Sequence, residues 1–318
     1  MPSDLTDRLR GALVGLAVGD AVGTTVEFCP PGTFDPVTDM TGGGPFDLRP
    51  GQFTDDTSMA LCLAESLVMC RGFDARDQME RYVRWMRDGH MSSTGSCFDI
   101  GLTTRGSLME FVRTGEPIAG STHERSAGNG SAMRLAPVAM YFARDARAAV
   151  AACADSSRTT HGAPVAVDVC RYLGALLVGA FAGASKDQLL APTFTPAPDL
   201  WKTQPLQSVV AEIAAGSFTR KKPPEIKGTG YAADCLEAAL WAFHTTENFR
   251  DGCLAAANLG NDADTTAAVY GQIAGAYYGE SGIPPEWRSR LAMWPIIDRL
   301  AAELCLTSAG NSAESSIR

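Results

Sequence analysis

NLGNDADTTAAVYGQIAGAYYG, residues 258–279, passes in one step from an irregular turn into a long apolar helix. Gly260 and Asn261 are turn formers, and small and apolar residues recur at helical spacing from Thr265 or Thr266 onward. Gly271, Gly275 and Gly279 fall four residues apart, on one helical face. At the helix start stand two carboxylates, Asp262 and Asp264, followed by the hydroxyl of Thr265. Free backbone N–H groups and the helix dipole favour one negative charge there. A second adds like-charge repulsion at short range, which is tolerated most easily when a cation lies between the oxygens.

The arrangement recurs far upstream. In FTDDTSMAL, residues 53–61, a turn after Pro50 and Gly51 delivers Thr54, Asp55 and Asp56 to the start of another apolar helix. Either cluster alone is what ordinary helix capping produces; the pair is harder to explain that way. All the donors are hard oxygens, which suits Mg²⁺ or Mn²⁺, and four carboxylates carry the charge for two such ions. A calcium-binding EF-hand is excluded, because Ala267 occupies its glycine position and Ile273 its bidentate glutamate position.

A chain of 318 residues that is 45% apolar buries a sizeable core. Its net charge of −9 gives no general attraction to phosphate backbones, so nucleic acid is not an expected partner. The one basic run, Arg220 to Lys222, precedes two prolines and reads as a solvated loop. Nine scattered cysteines form no CxxC pair and no zinc spacing with the four histidines. Together with an N-terminus lacking a signal pattern, they point to a reduced cytoplasm; a monomer is expected. The apolar run Ala12 to Val18 is interrupted by Asp20, and no membrane association is expected.

Nearly every periodic stretch is helical. Gly11, Gly15, Gly19 and Gly23 would line one helix face and let another helix approach closely. The chemistry of that segment lies at its end, at Asp20 and at Glu27 on the irregular stretch beyond. Apolar periodicity predicts helices at about 55–71, 74–88, 99–114, 131–141, 163–184, 205–216, 230–246, 249–258 and 265–279, then one or two over 284–305. Asp99, among small residues near a helix start, reads as a cap. Gly128, Asn129 and Gly130 form a turn feeding a helix, a ready anion site with Ser131 and Met133 as the local side chains. A lone histidine such as His161 is more often a structural hydrogen-bonder than a catalyst. The segment 185–230 shows no chemistry, and the Ser/Ala/Asn-rich tail 307–318 is expected to be disordered. Without period-2 alternation the fold class is all-α, one domain over 1–306.

GALVGLAVGDAVGTTVEF at 11–28, FTDDTSMAL at 53–61, GNGSAMRLAP at 128–137, THGAP at 160–164 and LGNDADTTAAVYGQIAGAYYG at 259–279 resemble, in order, the motifs of the ADP-ribosylglycohydrolases. The likeness is strongest to the arginine-specific bacterial members. It implies a compact orthogonal helical bundle with two Mg²⁺ (or Mn²⁺) ions in a central cleft, held by Thr54, Asp55, Asp56, Asp262, Asp264 and Thr265. It further implies that Glu27 and Asp99 are catalytic, and that Gly128, Asn129, Gly130, Ser131, Met133 and His161 bind the ADP-ribose. The implied reaction is hydrolysis of the N-glycosidic bond between ADP-ribose and a protein arginine, with the modified protein as partner and ADP-ribose as product. Hydrolysis of another linkage (serine, O-acetyl-ADP-ribose or a nucleobase) and a non-enzymatic binding or structural role are the alternatives.

Overall fold

A computed structural model describes residues 5–314, with side chains to 307. The first half of the chain forms α1 (Leu5–Gly23), α2 (Asp55–Cys70), α3 (Ala75–Asp88), α4 (Leu102–Thr114), α5 (Ala136–Tyr141) and α6 (Ala146–Arg158). Then come α7 (Pro164–Phe181), the short α8 (Lys186–Leu189) and α9 (Leu200–Thr203), α10 (Ser208–Ala214) and α11 (Ala232–Thr245). α12 (Phe249–Ala257), α13 (Ala263–Tyr278), α14 (Pro285–Arg290) and α15 (Trp294–Glu314) complete it. The described residues contain no β-strand, only isolated bridges such as Gly128 with Tyr231. The fold is all-α, as expected.

The bundle is built on α1 and α13, which run antiparallel with their backbones in contact. A Cβ placed on Gly11 would lie 2.2 Å from the Gly275 carbonyl oxygen, and one on Gly271 2.0 Å from the Gly15 oxygen. Gly19 and Gly23 meet Ala267 and Ala263 in the same way. Glycine inside a helix costs about 1 kcal/mol relative to alanine. The cost is offset by a helix pair packed closer than any side chain would allow, with α1 and α13 buried on all sides by α2, α5, α7, α11, α12 and α15. One hydrophobic cluster extends from Leu9 to Leu304. Leu5–Val26 and Pro164–Phe181 have the length and apolarity of membrane spans, yet 89% of each window is buried inside the bundle, as in core helices.

Three boundaries differ from the sequence reading. The helix expected over 131–141 begins only at Ala136, because Gly130–Arg134 is a succession of turns and Pro137 sits in the first turn of α5. α6 was not expected; its alanine-rich face gives weak periodicity, and its start is fixed by Asp145, which accepts from the Arg147 and Ala148 amides. α15 runs through 307–314, where composition suggests a disordered tail, while 315–318 lie outside the described residues.

Candidate active site

The starts of α2 and α13 meet at the end of α1. Thr54 Oγ1 lies 3.1 Å from Asp264 Oδ2, and Thr265 donates to Asp56 Oδ1 at 3.2 Å. The two hydroxyl-plus-carboxylate clusters thus form one group. Helix capping does not account for it, because neither Thr54 nor Asp262, the N-cap residues, accepts a capping hydrogen bond. Asp20 of α1 does that work for α2, accepting from the Thr54 and Thr57 amides at 2.9 and 3.0 Å. Asp55 and Asp56 are left with oxygens for another purpose.

Glu27 and Asp99 belong to the same group rather than standing apart. One oxygen each of Glu27, Asp99 and Asp264 lie within 4.8 Å of one another. Glu27 follows the short 3₁₀ turn Thr24–Val26 after α1. Its position is set by the next residue: Phe28 N–H donates to the Asn261 carbonyl at 2.6 Å, and Asn261 N–H to the Cys29 carbonyl at 2.8 Å. Phe28 and Asn261 both hold positive φ, 61° and 54°, a conformation that side chains disfavour and that clusters at functional sites. Asp99, expected to cap α4, has φ 57° and does not; the N-cap is Gly101, without a side-chain bond.

Burial first, and then mutual repulsion, raises these carboxyls. Glu27 is pushed up to about 12, with Asp264 its strongest like-charged neighbour, and Asp99 to about 7. Asp55, Asp56 and Asp264 are raised well above the usual range for the same reasons. Asp262 is raised by burial against the opposing hydrogen bond from Asn129. Glu27 Oε2, Asp56 Oδ2 and Asp264 Oδ1 are buried with no hydrogen-bond partner among the described residues. Buried carboxylates with unpaired oxygens, and among the described residues no ion pair to any of them, are what a hard divalent cation satisfies. The residues present fit a metal ion.

Above them opens a cleft of about 790 Å³ lined by Glu27, Asp55, Asp99, Asp262 and Thr265 on one side and by Gly128, Asn129, Gly130, Met133 and His161 on the other. Among the described residues the Gly130 and Ser131 N–H groups find no acceptor, consistent with an anion cradle. Ser131 itself turns inward, its hydroxyl 2.8 Å from that of Ser157, and does not line the cleft. Asn129 lines the cleft but spends its side-chain amide on Asp262 Oδ2, 2.7 Å, tying the glycine loop to the carboxylates. His161 is buried beside the loop, and its pKa falls to about 3 through burial and the nearby Arg134 charge. Arg134 donates to Thr160 Oγ1 at 2.7 Å, and Thr160 Oγ1 lies 2.9 Å from His161 Nδ1. Nε2 faces the glycine loop, 3.4 Å from where a Cβ on Gly128 would stand. His161 is a neutral imidazole fixed beside the loop.

Sequence reading missed Arg134, Phe28 and the wall made by Gly228, Thr229 and Gly230. Gly228 C=O accepts from Asp262 N–H at 3.1 Å and Gly230 C=O from Asn129 N–H at 3.0 Å, so the end of the segment dismissed as featureless joins both halves of the site. The signal was present: GTGY at 228–231 pairs small residues as GNGS does at 128–131.

The chain is 44% identical over 302 residues to the ADP-ribosylarginine hydrolase Tri1 of Serratia proteamaculans, covering 95% of this chain and 80% of the relative. It is 32% identical over 294 residues to the ADP-ribosyl-[dinitrogen reductase] glycohydrolase of Rhodospirillum rubrum, covering 90% and 91%. A solved structure titled ADP-ribosylglycohydrolase-related protein complex superposes with a TM-score of 0.84 at 44% identity, over 96% of this chain and 99% of that one. The ADP-ribosylglycohydrolase model matches residues 1–314, and with the site assembled from all five of its motifs the chain belongs to the ADP-ribosylglycohydrolase family.

Proposed function

We propose that this protein hydrolyses the N-glycosidic bond between ADP-ribose and an arginine side chain of a modified protein, releasing ADP-ribose. The observation that carries the reading is the buried carboxylate group at the floor of a cleft whose other wall is an anion-cradling glycine loop. Two relatives whose names specify ADP-ribosylarginine or ADP-ribosyl-protein hydrolysis support it. Two Mg²⁺ or Mn²⁺ ions would be held by Thr54, Asp55, Asp56, Asp262, Asp264 and Thr265. When bound, such cations supply Lewis-acid charge and lower the pKa of adjacent water.

The chain's own groups do the rest. The Gly130 amide and the His161 ring at the cleft wall hold the anionic diphosphate and fix the ribose over the carboxylates. Guanidine must be protonated or held cationic as it departs, and Asp99 and Glu27 flank the cleft floor within hydrogen-bond reach of each other. They hold the proton and face the cation that leaves. Met133 and the surrounding apolar wall limit water near the breaking bond.

Incubation with Mg²⁺ or Mn²⁺ and arginine-, serine- and nucleobase-linked ADP-ribose and with O-acetyl-ADP-ribose tests the reading. Free ADP-ribose is expected from the arginine substrate, with loss of activity after EDTA and recovery on adding back metal. Release from another linkage alone, or arginine turnover indifferent to EDTA, overturns it. Circular dichroism should be unchanged by EDTA, since a core of this size does not need metal to fold.

The leaving-group role makes a separate forecast. Asp99→Asn keeps nearly the same shape and is expected to slow cleavage of the arginine linkage at least tenfold, about 1.4 kcal/mol in the barrier, while ADP-ribose affinity stays within a few-fold. Equal turnover by the variant would remove Asp99 from the proton pathway and leave Glu27 alone there.

A further inference from the structure

Asp20 is buried in full at the point where α1, α2 and α13 meet, one residue beyond Gly19, whose contact with Ala267 fixes that crossing. Its Oδ1 accepts from the Thr54 amide at 2.9 Å and lies 3.0 Å from Thr54 Oγ1. Its Oδ2 accepts from the Thr57 amide at 3.0 Å and the Thr57 hydroxyl at 2.6 Å. Two amides, the Thr57 hydroxyl and the Thr54 hydroxyl surround its two oxygens, so that Asp20 is turned toward α2 rather than toward the carboxylate group. Thr54 Oγ1 is also 3.1 Å from Asp264 Oδ2, and a hydroxyl has one hydrogen to give. Given to Asp264, that hydrogen would leave a threonine lone pair against the Asp20 carboxylate. Given to Asp20, it turns the lone pairs toward Asp264.

We propose that Asp20 is a positioning residue that takes the Thr54 hydroxyl hydrogen, so that Thr54 Oγ1 faces the carboxylates as a lone-pair donor able to ligate a divalent cation. A helix cap alone would not require a carboxylate, since asparagine and serine cap as well. The inference rests on the reading that this centre takes divalent cations. It adds the reason why a buried, fully satisfied carboxylate stands behind a neutral ligand.

Mn²⁺ binding, measured by calorimetry or by the loss of the free-ion EPR signal, tests it without recourse to activity. Asp20→Asn, which puts an amide where two acceptors are needed, is expected to weaken Mn²⁺ at least tenfold in protein with native near-UV circular dichroism. Thr54→Val, which keeps the backbone bonds to Asp20 and removes only the oriented hydroxyl, should lose as much, and Thr54→Ser should retain wild-type affinity. The double variant Asp20→Asn/Thr54→Val should bind no more weakly than Thr54→Val. Wild-type affinity in folded Asp20→Asn, or in Thr54→Val, overturns the proposal, and Thr54→Val decides it if Asp20→Asn does not fold. Failure of the unaltered protein to bind Mn²⁺ overturns the cation reading and this proposal together; normal binding with unaffected variants overturns this proposal alone.

Discussion

Asp264→Ala is expected to cost at least a thousandfold in hydrolysis of ADP-ribosyl-arginine, about 4 kcal/mol in the barrier, with no loss of thermal stability in metal-free buffer. Asp264 links the parts of the group: it lies beside Thr54, shares a 4.8 Å cluster with Glu27 and Asp99, and leaves Oδ1 unpartnered. The sign on stability follows from its pKa. Burial and then Asp262 raise it in the folded state, so above the unfolded carboxyl pKa the ionised group opposes folding, and its removal relieves that strain. Added Mg²⁺ should raise the melting temperature of the unaltered protein by mass action and leave the variant unmoved. A melting temperature that falls in metal-free buffer would show that Asp264 supports the fold; turnover near wild type would sink the assignment.

Gly271→Val is expected to be the most damaging change outside the site. The added carbon would sit 2.0 Å from the Gly15 oxygen and 2.6 Å from the Gly15 carbonyl carbon, both backbone, so no rotamer relieves it and the helices must separate. We expect about 3 kcal/mol or more, a fall in melting temperature on the order of 5–10 °C, and loss of activity beyond what unfolding explains, because α1 carries Asp20 and α13 carries Asp264. Gly106→Ala in α4, where a Cβ meets nothing within 4 Å, is the control and should be neutral or stabilising by up to about 1 kcal/mol. A Gly271→Val protein that melts with the wild type would mean that the backbone contact does not hold the bundle together.

The helices and the meeting of the two aspartate clusters were legible because each rests on local pattern: helical spacing, a turn, and paired charge at a helix start. The glycine period announced a close helix contact, and α13 provides it. What could not be read is how groups distant in sequence share hydrogen atoms and strain. Asp20 was legible as part of the chemistry at the end of α1, but only its position beneath Thr54 and Thr57 gives it a task. Asp99 looked like a cap because local sequence carries no sign of its left-handed backbone. Ser131 looked like a ligand contact until the turns before α5 rotated it inward. The Gly228–Gly230 wall escaped because its meaning lies in its contacts with Asn129 and Asp262, not in its own period.

The backbone-to-backbone seam of α1 and α13 also sets when the protein can come into being. Its two sides lie near opposite ends of the chain, Gly11 against Gly275. At about 5–20 residues per second a ribosome takes on the order of tens of seconds to make the stretch between them. During that interval α1, largely buried in the finished molecule, lacks α13, the helix it packs against most closely, and α2, α5 and α7 can cover only part of it. Contacts of such long range make for slow folding and leave apolar surface open to aggregation. Newly made chains should therefore depend on chaperones until α13 emerges, and fragments ending before Ala263 should be insoluble however well their own helices form.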